Sequence, residues 1–179
     1  MAAHISTGVE YALHSLLFLA DRAEEAPAPS TRDLAELQAV PPEFLAKLFT
    51  RLQKAGLTRS IEGVGGGVRL ARPPAAIRVL DVVRAIDGDK PLFECREIRQ
   101  RCVLYGDQAP DWATRGPCAI HAVMIAAQAR LDEALAACTL ADLAGQLRAK
   151  APPAFGAAAG GWLDARAARR TRKRKEKNA

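Results

Sequence analysis

Apolar residues recur along VEYALHSLLFLADRA at Val9, Leu13, Leu16, Leu17 and Ala20, the i, i+4, i+7, i+8 rhythm of a helix with one buried face. The prolines of EEAPAP (24–29) end that helix and make a linker. Ser30, with Asp33 three residues on, is a capping-box start, so STRDLAELQAV predicts a short helix. VPP breaks it. PEFLAKLFTRLQKAG then predicts a further helix, with Pro42 near its first position and Gly56 at its C-terminal cap. Phe44, Leu45, Leu48, Phe49 and Leu52 form the inner face of that helix, leaving Glu43, Lys47, Thr50, Arg51 and Lys54 outside.

Beyond Gly56 the pattern shortens to strand-like runs. LTRSI and VRLA flank the glycine loop EGVGGG, which reads as a β-hairpin tip. A dinucleotide-binding loop would have to open a helix, whereas this one leads into a strand and then RPP. AIRVLDVVRAIDG restores helical spacing, with Leu80, Val83 and Ile86 inward and Gly88 as its stop. No periodicity runs through 93–117. CAIHAVMIAAQARLDEALAAC then places Ile120, Val123, Met124, Ala127, Leu131 and Leu135 on one stripe. Such a long Ala-rich helix suits packing against a copy of itself, with packing inside one chain as the alternative. Thr139 and Asp142 repeat the capping-box signal ahead of TLADLAGQLRA.

Two short helices separated by a turn form a helix-turn-helix or merely a helical hairpin; a β-hairpin directly after them favours a winged helix. The expected fold is therefore mainly α with a small β-hairpin wing, a winged helix-turn-helix domain plus a long dimerisation helix. The expected divisions are 1–90 for the DNA-binding domain, 91–117 for a cysteine-containing loop, 118–150 for the dimerisation helix and a short C-terminal helix, and 151–179 for a flexible basic tail.

At 179 residues and 49% hydrophobic, the chain can bury a core without disulfide staples. Glu10 and His14 interrupt the first apolar stretch, no basic segment precedes it and no clean cleavage site follows, which points to the cytoplasm. In that reducing compartment Cys95, Cys102, Cys118 and Cys138 read as ligands, redox thiols or buried small hydrophobes. Cys138, inside an Ala-rich helix, suits the last role. Cys102 and Cys118 border a Gly/Pro-rich loop with no core to fill, which favours ligation. Zinc prefers four closed S/N ligands at regular spacing, and the sequence has no CxxC pair. No nucleophile, base and orienting group stand together, so an enzyme is not expected.

The net charge of +6 changes the picture only through its placement. Eight Lys/Arg and two acids lie between Asp164 and Ala179, leaving eighteen of each sign elsewhere. A run of that kind reads as disordered and solvated, adding sequence-independent attraction to phosphates or anionic lipid.

STGVEYALHSLLFLA, the segment from DLAELQAVPPEFLAKLFTRLQKAG through TRSIEGVGGGVRLARP to LDVVRAIDG, a cysteine loop and TLADL together resemble the winged-helix repressor family that includes IscR, NsrR and CymR. The resemblance covers about residues 4–147. It implies a homodimer, a helix in the major groove, a wing in the minor groove and, in many members, an iron-sulfur cluster near the dimerisation helix. Cys95, Cys102 and Cys118 occupy the region that holds three cysteines in cluster-bearing members, with a longer gap between the second and third than is usual. His121 matches a histidine ligand found three residues after the third cysteine in IscR. Glu10 matches an acidic ligand supplied by the partner subunit in the NsrR branch, and His14 lies one turn from it on the same side. The likeness is greatest to the redox-sensing RsrR-like branch, in which two cysteines of one subunit and a Glu and a His of the other hold a 2Fe-2S cluster. The implied ligands are thus Cys102, Cys118, Cys95, Glu10 and His14, with His121 a further candidate. Mixed ligation of this kind raises the potential of a cluster above that of an all-cysteine one.

For DNA, two recognition helices about a dimer axis imply a pseudo-palindromic operator. Lys47 and Arg51 project from the outer face of the second helix, with Pro42, Glu43 and Ala46 nearer its start, where side chains reach base edges. Arg59 and Arg69, flanking the wing, are expected at phosphates. Many relatives have arginine just before the first glycine of the wing, where this chain has Glu62; an acid there is repelled by the groove, so weaker wing insertion is expected. The functional expectation is a DNA-binding regulator controlled by an iron-sulfur cluster, with no small-molecule substrate and no membrane. A regulator of the same family that senses by thiol oxidation or a small ligand, without a cluster, is the competing reading.

Overall fold

The computed structural model describes residues 5–63, 66–96 and 98–177, with backbone alone at 173–175 and 177. In chain order its elements begin with α1 (Thr7–Ala20), α2 (Thr31–Leu37), α3 (Pro42–Lys54), β1 (Thr58–Ile61), β2 (Gly67–Leu70) and α4 (Val79–Asp87). They continue with α5 (Asp111–Thr114), α6 (Ala119–Ala137), α7 (Leu140–Lys150) and α8 (Pro153–Lys177), besides short 3-10 turns. Two compact units result, residues 5–88 together with 136–177, and residues 89–135.

In the larger unit the local signals of the sequence act as expected. Ser30 Oγ accepts the Asp33 N–H at 3.1 Å while the Asp33 carboxylate accepts the Ser30 N–H at 2.9 Å, closing the capping box of α2. Pro42 takes the first position of α3, where its missing N–H costs nothing. Gly56 adopts φ 67°, which lets the Leu57 N–H reach back to the Leu52 carbonyl at 2.9 Å and stop the helix. The same closure ends α2, where the Val40 N–H bonds the Ala35 carbonyl at 2.9 Å, but there the left-handed position is Ala39, at φ 53°. Holding a residue with a Cβ in that region costs roughly 1–2 kcal/mol, and it fixes the turn between α2 and α3.

β1 and β2 pair antiparallel, with Thr58 opposite Leu70 and Ile61 opposite Gly67. This is the wing; Val64 and Gly65 at its tip lie outside the described residues. The wing is stitched to the linker before α2, where the Pro29 carbonyl accepts the Val68 N–H at 2.8 Å. A Cβ at Gly67 would stand 2.4 Å from the Pro29 carbonyl oxygen, so only glycine permits this approach.

The core joins one face of every helix of this unit. Val9, Ala12 and Leu16 of α1 meet Leu34 of α2, Leu45, Leu48 and Leu52 of α3, and Val82 and Ile86 of α4, all buried. Phe44, expected inside α3, lies at the edge of that face, 38% exposed and edge-on to Tyr11. Buried Ser15 donates to the Tyr11 carbonyl and accepts from Gln38 Nε2 at 2.7 Å, tying α1 to the end of α2. The start of α1 is held by Asp87, which accepts the Ser6 N–H at 2.8 Å.

Beyond residue 135 the structure departs from the expected divisions. α7 belongs to the winged-helix unit, since Leu140 is buried in its core and the Leu140 N–H bonds the Ile77 carbonyl at 2.8 Å. The segment read as a flexible basic tail forms α8. Its Leu163 and Ala167, one turn apart, are each 1% exposed, and Trp162 lies beneath the Arg166 guanidinium at 4.8 Å. Three ion pairs add to this, Arg22 with Asp164, Arg166 with Glu36 and Arg170 with Asp33. A charge-rich segment folds here because it still carries an apolar stripe at helical spacing and acids of the unit meet its arginines.

The smaller unit, residues 89–135, holds the loop and α6. Its loop is organised by 3-10 turns at Ile98–Arg101 and Val103–Tyr105 and by α5. Tyr105 meets Trp112 edge-on at 5.9 Å, and Arg99 Nη2 donates to the Gly116 carbonyl at 2.8 Å, drawing the two arms of the loop together. Gln128 of α6 accepts the Leu92 N–H at 2.7 Å. No residue of α6 is buried: Ile120 and Val123 of the expected stripe are 64% and 65% exposed, while Met124, Leu131 and Leu135 are half-buried.

Candidate nucleic-acid interface and thiol loop

The turn at Ala39 and the proline start of α3 set the outer face of α3 toward solvent. Pro42, Glu43, Ala46, Lys47 and Arg51 are all exposed on it. Thr50 spends its hydroxyl on the Ala46 carbonyl at 3.0 Å, as helical threonines do. Lys47 and Arg51 stand one turn apart, as the sequence predicts. Arg51 has a second attachment, Nη1 donating to the Ile86 carbonyl at 2.7 Å, which orients it from the end of α4.

The two arginines expected at phosphates are placed differently. Arg59 is exposed and paired with Glu24 at 2.6 Å. Arg69, only 13% exposed along its side chain, donates to the Ala23 carbonyl at 3.1 Å and to the Ala26 carbonyl. Arg69 therefore holds the linker against β2, because carbonyls left unpaired in a proline-rich linker need donors. Glu62, at the wing, is exposed.

Cys95, Cys102 and Cys118 are all half-buried thiols of the smaller unit, and no disulfide forms. Cys102 precedes a 3-10 turn, whose Tyr105 N–H bonds the Cys102 carbonyl at 3.0 Å. Cys118 immediately precedes α6, and its Sγ accepts the His121 N–H at 3.3 Å, as a capping residue would. The His121 ring packs at a tilt on Phe93 at 5.9 Å, and its Nδ1 makes no hydrogen bond. Glu10 and His14 are exposed on α1, one turn apart. Among the described residues no three His, Cys, Asp or Glu side chains of one chain come together as a metal site.

Cys138 is not inside a helix as expected. It follows the end of α6, half-buried, with its thiol turned to the Thr139 carbonyl at 3.8 Å and its own carbonyl accepting the Val79 N–H at 2.9 Å. Sequence reasoning passed over Arg170, the anchor of α8, although Leu163, Ala167 and Arg170 share one helical face. The density of charge around that stripe concealed it.

A helix-turn-helix with a polar outer face, followed directly by a two-stranded wing, defines a winged-helix DNA-binding protein. The chain belongs to the Rrf2 family, whose profile, described as Iron-dependent Transcriptional regulator, matches residues 5–146. The helix-turn-helix-type transcriptional regulator Rv1287 of Mycobacterium tuberculosis is 37% identical over 142 residues, which cover 79% of this chain and 81% of that protein. IscR of Aliivibrio salmonicida is 39% identical over 85 residues, 48% of this chain and 50% of IscR. Among solved structures, CymR of B. subtilis superposes with a TM-score of 0.59 at 28% identity, covering 80% of this chain and 97% of CymR. T. potens IscR superposes with a TM-score of 0.60 at 25% identity, covering 83% and 92%. The chain is thus a DNA-binding transcriptional regulator and not an enzyme. Among the described residues no helix is long and apolar enough to cross a membrane.

Proposed function

We propose that the protein is a cytoplasmic, homodimeric repressor of the redox-sensing RsrR-like kind, whose affinity for a pseudo-palindromic operator is set by an iron-sulfur cluster. The observation that carries this reading is the concentration of three half-buried thiols, Cys95, Cys102 and Cys118, in a loop that opens directly into α6.

The donor set suits such a group. Cys102 and Cys118 supply thiolates, the preferred ligands of iron-sulfur clusters. Glu10 and His14 of a second subunit supply weaker oxygen and nitrogen donors, and their exposure leaves them accessible to a partner. When bound, a 2Fe-2S cluster would supply a one-electron redox change under mild conditions. This chain's own residues would convert it into DNA affinity, because α1, bearing Glu10 and His14, packs on α3 and α4 in the same core. A charge change at α1 can then bias where α3 sits relative to its dimer mate.

Protein purified anaerobically should be coloured and contain roughly equal iron and sulfide. Cys102→Ala and Cys118→Ala should lose the colour, and Glu10→Ala or His14→Ala should shift its spectrum. A colourless, iron-free protein after anaerobic reconstitution would overturn the cluster. It would leave the cluster-free thiol sensor of the same family, which the half-exposed Cys102 also supports.

A further inference from the structure

We propose that α8 is an accessory DNA-contacting element, docked so that the basic run from Arg169 to Lys177 meets the phosphates flanking the recognition site. The inference rests on the winged-helix reading of DNA binding, and on where Arg170 is anchored. Arg170 Nη2 donates to the Ala28 carbonyl at 2.9 Å and to the Gly66 carbonyl at 3.4 Å, and Nη1 pairs with Asp33. One guanidinium thus joins the linker before α2, the capping acid of α2 and the hairpin loop of the wing.

On the winged-helix reading these parts of the fold face the nucleic-acid backbone. In a helix-turn-helix the first helix crosses the sugar-phosphate backbone while the second enters the groove. The start of α2 belongs to that crossing helix, and Arg170 sets the first turn of the basic run beside it and beside the wing.

Charge supplies the second half of the case. Leu163, Ala167 and Arg170 face the winged helix, whereas Arg169 and Arg172 are exposed. Arg172 is 85% exposed along its side chain and paired with Glu176 at 3.1 Å. Lys173, Arg174, Lys175 and Lys177 follow in the sequence, against the single acid Glu176. The chain's net positive charge resides in this segment, beside a wing that carries Glu62 where a cation would serve better. Basic side chains held along the backbone bind phosphate without reading sequence, and they compensate a wing that the minor groove repels.

A labelled random-sequence duplex, titrated with the full chain over a series of salt concentrations, tests this directly. In the variant Arg169→Gln/Arg172→Gln/Lys173→Gln/Lys175→Gln, which leaves the anchors Leu163, Ala167 and Arg170 intact, the slope of log affinity against log salt should fall by about 0.9 for each phosphate no longer neutralised. Affinity at low salt should weaken by about tenfold or more. Leu163→Asp, which releases α8 with every basic charge retained, should also weaken binding. Unchanged affinity and slope in the charge variant would overturn the proposal, and so would tighter binding, which would make α8 a mask over the DNA face. Full binding by Leu163→Asp would overturn the docked placement. Lys47→Ala separates the two readings: if it binds the chain's own promoter duplex as well as the unmodified protein does, recognition by α3 fails, while the random-sequence titration still decides α8.

Discussion

Thr139 shows how much one hydroxyl settles. Its Oγ1 and its backbone N–H both donate to the Asp142 carboxylate, at 2.6 and 2.8 Å, and hold that carboxyl below its ordinary 3.8. A depressed carboxyl stabilises the folded state above 3.8 and loses that contribution as pH falls through its lowered folded value. An NMR titration should therefore place the Asp142 midpoint below 3.8, and Thr139→Ala, which removes the hydroxyl but keeps the backbone N–H, should raise it part of the way toward that value while the first turn of α7 frays. A midpoint at or above 3.8 in the unmodified protein would mean that the box is not made. Both capping boxes, Pro42 and Gly56 were legible because each acts through neighbours a few residues away. Ala39 was not, because its left-handed turn is imposed by how α2 and α3 pack. Arg69 likewise reads as a phosphate ligand in sequence and becomes a linker clamp only when residues 23–26 fold beside it.

Helix α8 carries the same lesson at the scale of an element. Burying a leucine side chain contributes about 1.5–3 kcal/mol, and Leu163 is the main apolar anchor of this helix. Leu163→Asp should abolish amide-exchange protection along α8 while α1, α3 and α4 keep theirs, since their shared core involves many other side chains. Uniform loss of protection would show that α8 belongs to the cooperative core. Composition concealed this helix: eight basic residues suggest solvation unless the stripe of Leu163 and Ala167 is weighed against them. The loop of 93–117 is the opposite case, where the absence of periodicity correctly announced irregular structure but could not say that Arg99 and an aromatic pair would order it.

At the scale of the whole molecule, α6 is a complete helix without a buried residue. Ile120, Val123 and Ile125 expose large apolar surface, which a stable protein covers. In the proposed homodimer a second copy of α6 would cover it with symmetric, self-complementary packing. Val123→Glu should therefore convert the protein to a monomer in sedimentation and weaken binding to a two-half-site operator far more than to a single half-site. A Val123→Glu protein that remained dimeric would move the interface elsewhere.

The sequence by itself determined the order and identity of the winged-helix elements, the placement of the thiols before α6 and the exposed face of α3. These follow from periodicity, caps and turn residues, which act over a few positions. Only the tertiary structure decided that residues 139–177 return to the winged helix, that Arg69 serves the linker and that Arg170 joins α2 to the wing. Those outcomes depend on which carbonyls, acids and apolar surfaces remain unsatisfied once distant segments have packed.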